Sequence, residues 1–151
     1  MKNYALKIIN DKNEQDALLT ILDIIQKKCD YGQKMDKLTD GERIIYLIGD
    51  VEGEVNNGGF SQYFFNSSGK YANEAISALK TVGAEYTSSL LEQAMKIYKN
   101  GPTSESRNEP EEDLTEDQEE KLNELDNKFY EYKDNLSKLQ IEYIKNHITD
   151  F

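Results

Sequence analysis

The chain has 151 residues, enough for one domain of ordinary size, and its 37% hydrophobic content is enough for a lean core. Its 29 acidic and 18 basic side chains give a formal net charge of −11, which disfavours direct binding to DNA, RNA or anionic membranes. A single cysteine excludes an internal disulfide, and residues 1–16 lack the apolar stretch of a signal peptide. We therefore expect a cytoplasmic protein without membrane spans.

Helical spacing of apolar residues dominates the first part of the chain. One stretch runs from Ala17 to Cys29. A second begins at Thr39, where Thr39 and Glu42 have the spacing of a capping box. We expect this second helix to break at residues 56–59, Asn-Asn-Gly-Gly, because such residues favour turns.

Further helical stretches follow this break. A short aromatic segment covers residues 60–66, and periodicity predicts helices over 71–82 and 88–98. Thr115 then caps a long acidic helix, which residues 134–135 could bend or split into a helical hairpin. The predicted fold class is all-α, a compact bundle of about six to seven helices. A heptad-like seam in the long helix could be filled within the chain or could pair two copies as a homodimer; it consists of Leu122, Leu125, Phe129, Tyr132, Leu136, Leu139 and Tyr143.

The acidic residues are concentrated in one segment. Residues 101–135 hold 13 acidic and 4 basic side chains, whereas residues 1–100 hold 14 and 12. Residues 101–114 also contain both prolines and almost no apolar side chain, which is typical of an exposed loop. The sequence thus predicts a single domain over residues 1–151 with one strongly acidic segment.

The side chains present disfavour most enzymatic chemistry. His147 is the only histidine, which excludes a zinc site built from histidines. Cys29 lies on the apolar face of its helix, where packing as a small hydrophobe is the simpler interpretation. Asp50 and Glu54 are one helical turn apart and could hold a hard cation, although a solvated or turn-capping role is more common. We predict a protein that is not an enzyme and uses no cofactor or metal.

The densest local pattern is residues 54–66, Glu-Val-Asn-Asn-Gly-Gly-Phe-Ser-Gln-Tyr-Phe-Phe-Asn. Its glycines permit positive φ, and its aromatic residues offer a large apolar surface to the core. We interpret the pattern as a structural turn; the alternative is a ligand pocket lined by Gln62, Tyr63 and Asn66. The residues of this motif are Glu54, Asn57, Gly58, Gly59, Phe60, Gln62, Tyr63, Phe64 and Asn66.

This motif resembles the signature of a bacterial family that was known as a domain of unknown function. The family is now named after a DNA-mimic protein, as the DMP-nineteen-like family. Similarity continues at residues 42–43, 78–79 and 83–84 and in the closing stretch 125–151, so it covers most of residues 15–151. The resemblance implies an all-helical fold. For the member that named the family, it also implies a non-enzymatic role, in which a DNA-like array of carboxylates keeps a transcription factor off its operator.

The acidic segment can supply such an array. Helix positions four residues apart are separated by about 6 Å, close to the spacing of about 6–7 Å between phosphates along one DNA strand. We predict that the array binds a DNA-binding or other basic protein. Its expected members are Glu109, Glu111, Glu112, Asp113, Glu116, Asp117, Glu119, Glu120 and Glu124, joined by Asp126, Glu131 and Asp134 if the helix turns them to the same side.

Other interpretations of these features stay open. The acidic residues could be a solvated helix face and a disordered loop without a partner. An immunity or antitoxin protein that neutralises a basic toxin would use the same acidic surface. A small-ligand-binding helical module would instead use Gln62, Tyr63 and Asn66.

Overall fold

Periodic apolar residues fold the chain into α-helices throughout the part that the structure describes. The structure is a computed structural model that describes residues 3–99 and 114–151, except for the side chains of residues 67 and 68. Within these ranges there are seven α-helices and no strands. The helices are α1 (Tyr4–Asp11), α2 (Glu14–Lys28), α3 (Asp40–Phe65), α4 (Ala72–Thr81), α5 (Glu85–Lys99), α6 (Glu116–Tyr130) and α7 (Leu136–Asn146). Short 3₁₀ turns cover Met35–Lys37, Ser67–Tyr71 and Ile148–Asp150.

Side chains that cap the helix starts explain where two of these helices begin. The Thr39 hydroxyl accepts from the backbone amide of Glu42, and the Glu42 carboxylate accepts from the amide of Thr39, at 3.1 and 3.0 Å. Thr115 and Gln118 make the same reciprocal pair at α6. Each pair satisfies backbone donors that the first turn of a helix leaves without partners. Both predicted helix starts are confirmed.

The long helix α3 lies at the centre of the bundle and packs against α2, α4, α5 and α6. The helix α7 packs on α1 and α2. Apolar residues from every helix form one buried cluster, which includes the predicted small hydrophobe Cys29. The all-α class and the compact bundle are therefore confirmed. The helix α1 was not predicted, because only Ala5 of its eight residues is fully buried and its apolar pattern is short.

The C-terminal region is not one long acidic helix: it is divided into α6 and α7 close to residues 134–135, where the sequence allowed a bend or split. The helix α6 ends at Tyr130, Tyr132 has a left-handed φ of 48°, and Asn135 caps α7 by accepting from the amide of Lys138. The two helices also pack on different partners, α6 on α3 and α5 and α7 on α2. Most of the heptad-like seam is buried inside the chain, so it needs no second copy to cover it.

The break expected at residues 56–59 is a kink and not a loop. Only Gly58 and Gly59 leave helical geometry, with φ/ψ of −155°/16° and 80°/179°, and α3 resumes at Phe60. A φ of 80° with ψ near 180° is a conformation that glycine adopts and other residues avoid. The two glycines thus redirect the helix without interrupting its path.

Candidate functional site

The kink in α3 is held by a carboxylate from a neighbouring helix. Asp126 of α6 accepts from the backbone amide of Phe60 at 2.8 Å, which caps the second half of α3. Burial raises the pKa of Asp126, and the hydrogen bond from Phe60 partly opposes that shift. A Cβ on Gly59 would lie 2.3 Å from an Asp126 oxygen. Gly59 is therefore required both by its φ and by the close approach of this carboxylate.

The aromatic residues of the motif anchor the second half of α3 in the core. Phe60, Tyr63 and Phe64 are all buried. The ring of Phe60 meets Phe129 of α6 edge-on at 5.7 Å between centroids, and Phe64 stacks on Tyr98 of α5 at 4.9 Å. Such contacts stabilise a core beyond the area they bury. These aromatic residues therefore fix α3 against both α5 and α6.

The polar residues of the motif bind one another across the kink. The Glu54 carboxylate accepts from Asn66 at 2.5 Å and from Gln62 at 3.4 Å, so it links the two halves of α3. Tyr63 is only 1% exposed, and none of the cavities described below is lined by Gln62, Tyr63 or Asn66. Among the described residues, no group of three potential ligands is placed to hold a metal ion. The structure thus supports a structural role for this motif, and Asn57 is an exposed residue at its start.

The predicted carboxylate array divides into a part that the structure describes and a part that it does not. Residues 109 and 111–113 lie outside the described ranges. The others form what we call the acidic face of α6, on which every carboxylate is exposed: Glu116, Asp117, Glu119, Glu120 and Glu124. One ion pair lies on α6 in the described part of the chain, between Asp117 and Lys121 at 2.9 Å.

The opposite side of α6 is fixed in the core. Leu122, Leu125 and Phe129 are buried there, and the buried Gln118 donates to the carbonyl of Ile97 in α5 at 2.8 Å. These contacts, together with the capping box at its start, hold the helix in one orientation. The acidic face therefore has a fixed direction relative to the bundle.

Two carboxylates that the sequence placed conditionally in the array have other roles. Asp126 points inward to the kink, and Asp134 accepts from both the amide and the hydroxyl of Thr87 in the first turn of α5, at 2.8 and 2.9 Å. Both cap helices, so neither belongs to the acidic face. Glu131 is exposed directly after α6 and remains compatible with the array.

One cavity lies between the segment that follows α2 and the middle of α3, with a volume of about 560 Å³. Three tyrosines and two aspartates line it, as does Lys70, whose ammonium lies 5.0 Å from the centroid of the Tyr71 ring. Arg43 lies 5.5 Å from the same ring. Burial and the charge of Asp50 raise the pKa of Tyr46 to about 12. The lining of this cavity thus includes a cation of the protein itself.

A second cavity, which we call the α2–α3–α7 groove, has a volume of about 540 Å³. Leu18, Leu19 and Leu22 of α2 form its apolar wall. Glu52 of α3 lies at its floor and accepts hydrogen bonds from Tyr132 and Gln140, at 3.0 and 3.1 Å. Burial raises the pKa of Glu52, and the two hydrogen bonds partly oppose that shift. Sequence reasoning missed this groove, because its residues come from three separate parts of the chain.

Gly53 stands beside Glu52 in the same groove, and a Cβ added there would have no atom within 4 Å. A side chain at this position would therefore have space, and glycine in the middle of a helix is less favourable than alanine. We expect Gly53→Ala to raise the free energy of unfolding by about 0.5–1 kcal/mol. Urea unfolding at pH 7 measures this change, and a loss of stability would show that another constraint keeps a glycine at this position.

This protein is an acidic all-α protein. Its distinguishing features are the glycine kink in α3, the aromatic residues that anchor it and the outward row of carboxylates on α6. A family model described as DMP19-like protein matches residues 36–147, and the chain belongs to this family. The match includes α3 to α7, with both the kink and α6. No curated protein and no solved structure matches the chain. No helix within the described residues combines the length and hydropathy needed to cross a membrane.

Proposed function

We propose that this protein is a non-enzymatic DNA mimic that binds a basic DNA-binding protein and blocks its access to DNA. The observation that carries the proposal is the exposed row of Glu116, Glu120 and Glu124 along one helix whose other side is buried in the core. Membership of the DMP19-like family is consistent with this role.

The spacing and charge of α6 support the proposal. Carboxylates four residues apart on a helix are separated by about 6 Å, which approximates the direct distance of about 6–7 Å between neighbouring phosphates on one DNA strand. The helix carries six acidic and two basic side chains, and Lys121 is engaged by Asp117. Like charges at this spacing cost a helix about 0.2–0.5 kcal/mol per pair. A basic partner would relieve that repulsion on binding.

A charge-neutralised variant of the acidic face tests the proposal. We expect the triple variant Glu116→Gln, Glu120→Gln and Glu124→Gln to bind its partner about tenfold more weakly or worse, because it loses the row that contacts basic side chains. The measurement is affinity capture from bacterial lysate at moderate salt, followed by elution with duplex DNA. A basic DNA-binding protein that is retained by the native chain and eluted by DNA is the expected result.

A second triple variant controls for net charge alone. Asp11→Asn, Glu85→Gln and Glu142→Gln remove the same charge from exposed positions on α1, α5 and α7. This variant should retain the partner, since it leaves the acidic face intact. Equal loss in both variants would contradict the proposal. A specific partner that DNA does not displace would support the immunity or antitoxin alternative instead.

A further inference from the structure

We propose that the α2–α3–α7 groove binds a small organic cation, namely an ammonium group on an apolar body. The groove contains no residue of α6, so this inference is independent of the proposed DNA mimicry. Its volume of about 540 Å³ is within the usual range for small-molecule sites.

The two sides of the groove match the two parts of such a ligand. Leu18, Leu19 and Leu22 form an apolar wall, and Leu19 is 58% exposed although it is a large apolar residue. Facing this wall is the Glu52 carboxylate, held in place by Tyr132 and Gln140. An apolar body can cover the leucines while an ammonium group donates to the carboxylate.

The carboxylate of Glu52 has room for a further donor. An ionised carboxylate offers about four lone-pair sites, and Tyr132 and Gln140 use one each on opposite oxygens. The phenol of Tyr132 is itself oriented by a hydrogen bond from Asn56 at 2.8 Å. Burial has removed part of the hydration of Glu52, which is why its pKa is raised. A bound cation would compensate for that lost hydration.

The charge of the groove selects a cation. Two carboxylates, Glu52 and Asp23, are among its lining residues, which include no lysine or arginine. Asp23 is exposed and paired with Lys27 at 2.8 Å, so Glu52 is the carboxylate at the floor. The tyrosine-lined cavity at the other end of α2 differs, because Lys70 is one of its lining residues. Of the two cavities described above, the groove is therefore the one whose lining has carboxylates and no lysine or arginine.

Gly53 marks open space beside Glu52 in the groove. One turn earlier, a Cβ on Gly49 would lie 2.7 Å from Leu22, so the close packing of α2 on α3 explains that glycine. The same packing does not explain Gly53, where a Cβ would have nothing within 4 Å. The position beside Glu52 is therefore open space that alanine would leave largely free and a large side chain would fill.

Protein NMR with four probe compounds tests the proposal. The probes are 2-phenylethylamine, its neutral analogue 2-phenylethanol, the anion 3-phenylpropionate, and ethylamine, which lacks the apolar body. At pH 7.5 we expect the first to bind saturably with a Kd of about 1–10 mM, typical of a ligand of about nine heavy atoms. Its shifts should centre on the amides of Gly53, Tyr132 and Gln140. The other three should bind at least about tenfold more weakly, a difference of roughly 1.4 kcal/mol.

Substitutions at two positions distinguish binding in this groove from nonspecific electrostatic binding of a cation to an acidic protein. Gly53→Phe should fill the groove and abolish the saturable shifts, whereas Gly53→Ala should leave them in place. Glu52→Gln should weaken the cation at least about tenfold and leave the neutral alcohol unchanged. Thermal melts confirm that each variant is folded. If Gly53→Phe is not folded, Gly53→Leu replaces it as the filling variant.

The pH dependence gives a further readout. The cation needs ionised Glu52, so its affinity should fall as the pH is lowered through the raised pKa of that group. The other groups that face the groove and titrate are Asp23 of α2 and the phenol of Tyr132, and Glu52→Gln removes only the contribution of Glu52. Equal binding of the cation and the anion, or unchanged binding in Gly53→Phe, would overturn the proposal. So would the absence of saturable shifts with 2-phenylethylamine up to about 30 mM, several times the expected Kd.

Discussion

Replacing Gly59 with valine should destabilise the protein by about 3–5 kcal/mol. Valine would have to adopt φ near 80°, which costs about 1–3 kcal/mol for a residue other than glycine. Its Cβ would also collide with Asp126, which is 2.3 Å from that position. If Asp126 moves away, the amide of Phe60 loses its acceptor, and an unsatisfied buried amide costs about 1–3 kcal/mol.

Thermal unfolding measures this loss as a decrease in Tm of about 10 °C or more for a chain of this size. Asp126→Ala is the matched control, because it removes the cap without straining the backbone and should cost about 1–2 kcal/mol. The double variant of Gly59→Ala and Asp126→Ala then isolates the cost of the backbone conformation. An unchanged Tm in Gly59→Val would show that the kink is not needed for stability.

Replacing Glu42 with glutamine should lower the free energy of unfolding by about 2–4 kcal/mol at pH 7. Glu42 is completely buried, and its carboxylate accepts from Lys28 at 2.6 Å, from Tyr4 at 2.8 Å and from the amide of Thr39 at 3.0 Å. It thereby joins α1, α2 and the start of α3. Glutamine cannot reproduce the charge and leaves Lys28 without its partner, although the exposed part of the lysine can still be hydrated.

The effect of this substitution should depend on pH in a defined direction. Burial alone would raise the pKa of Glu42, but the hydrogen bonds from Lys28, Thr39 and Tyr4 and the charge of Lys28 outweigh it and lower the pKa below the ordinary 4.5. A lowered pKa means that the stabilisation is fully present above the unfolded value and is lost as the pH falls through the folded value. The difference between the native chain and Glu42→Gln should therefore shrink as the solution is acidified below about pH 4.5.

Urea unfolding at pH 7 and at pH 3.5 measures this difference. Neutralising Glu74 is the control, because Glu74 forms an exposed ion pair with Arg43 and such pairs contribute about 0–1 kcal/mol. Glu52 and Asp126 have raised pKa values, so their effect on stability as the pH falls is opposite to that of Glu42. Both residues are present in the native chain and in Glu42→Gln, so their contributions cancel in the difference between the two. A difference that stays constant down to pH 3.5 would show that the charge of Glu42 does not stabilise the fold.

Local chemistry made part of the fold predictable. Thr39 and Thr115 are each followed three residues later by the residue that completes a capping box, so these helix starts could be recognised from the sequence. The division of the C-terminal region was harder, because the apolar spacing continues across it without a gap. The separation depends on Asp134 binding α5 and on Tyr132 adopting positive φ, and both are determined by packing between distant helices.

The candidate site, too, could be predicted from the sequence only in part. Exposure of Glu116, Glu120 and Glu124 follows from helical periodicity and was predictable. The inward role of Asp126 was not, because it depends on the kink in a helix more than sixty residues earlier in the chain. The α2–α3–α7 groove was not predictable either, since Glu52 and Gly53 acquire their surroundings only when α2 and α7 pack against α3.

The two sides of α6 can change independently over evolution. Its inward residues are committed to the core and to capping, as Gln118, Leu122 and Asp126 show. Its outward residues contact solvent and make few bonds to the rest of the chain, so substitutions there cost the fold little. Under the proposed function, substitutions at the outward positions alone could therefore change which basic protein α6 binds. The same property makes α6 a suitable position for building libraries of engineered binders on this scaffold.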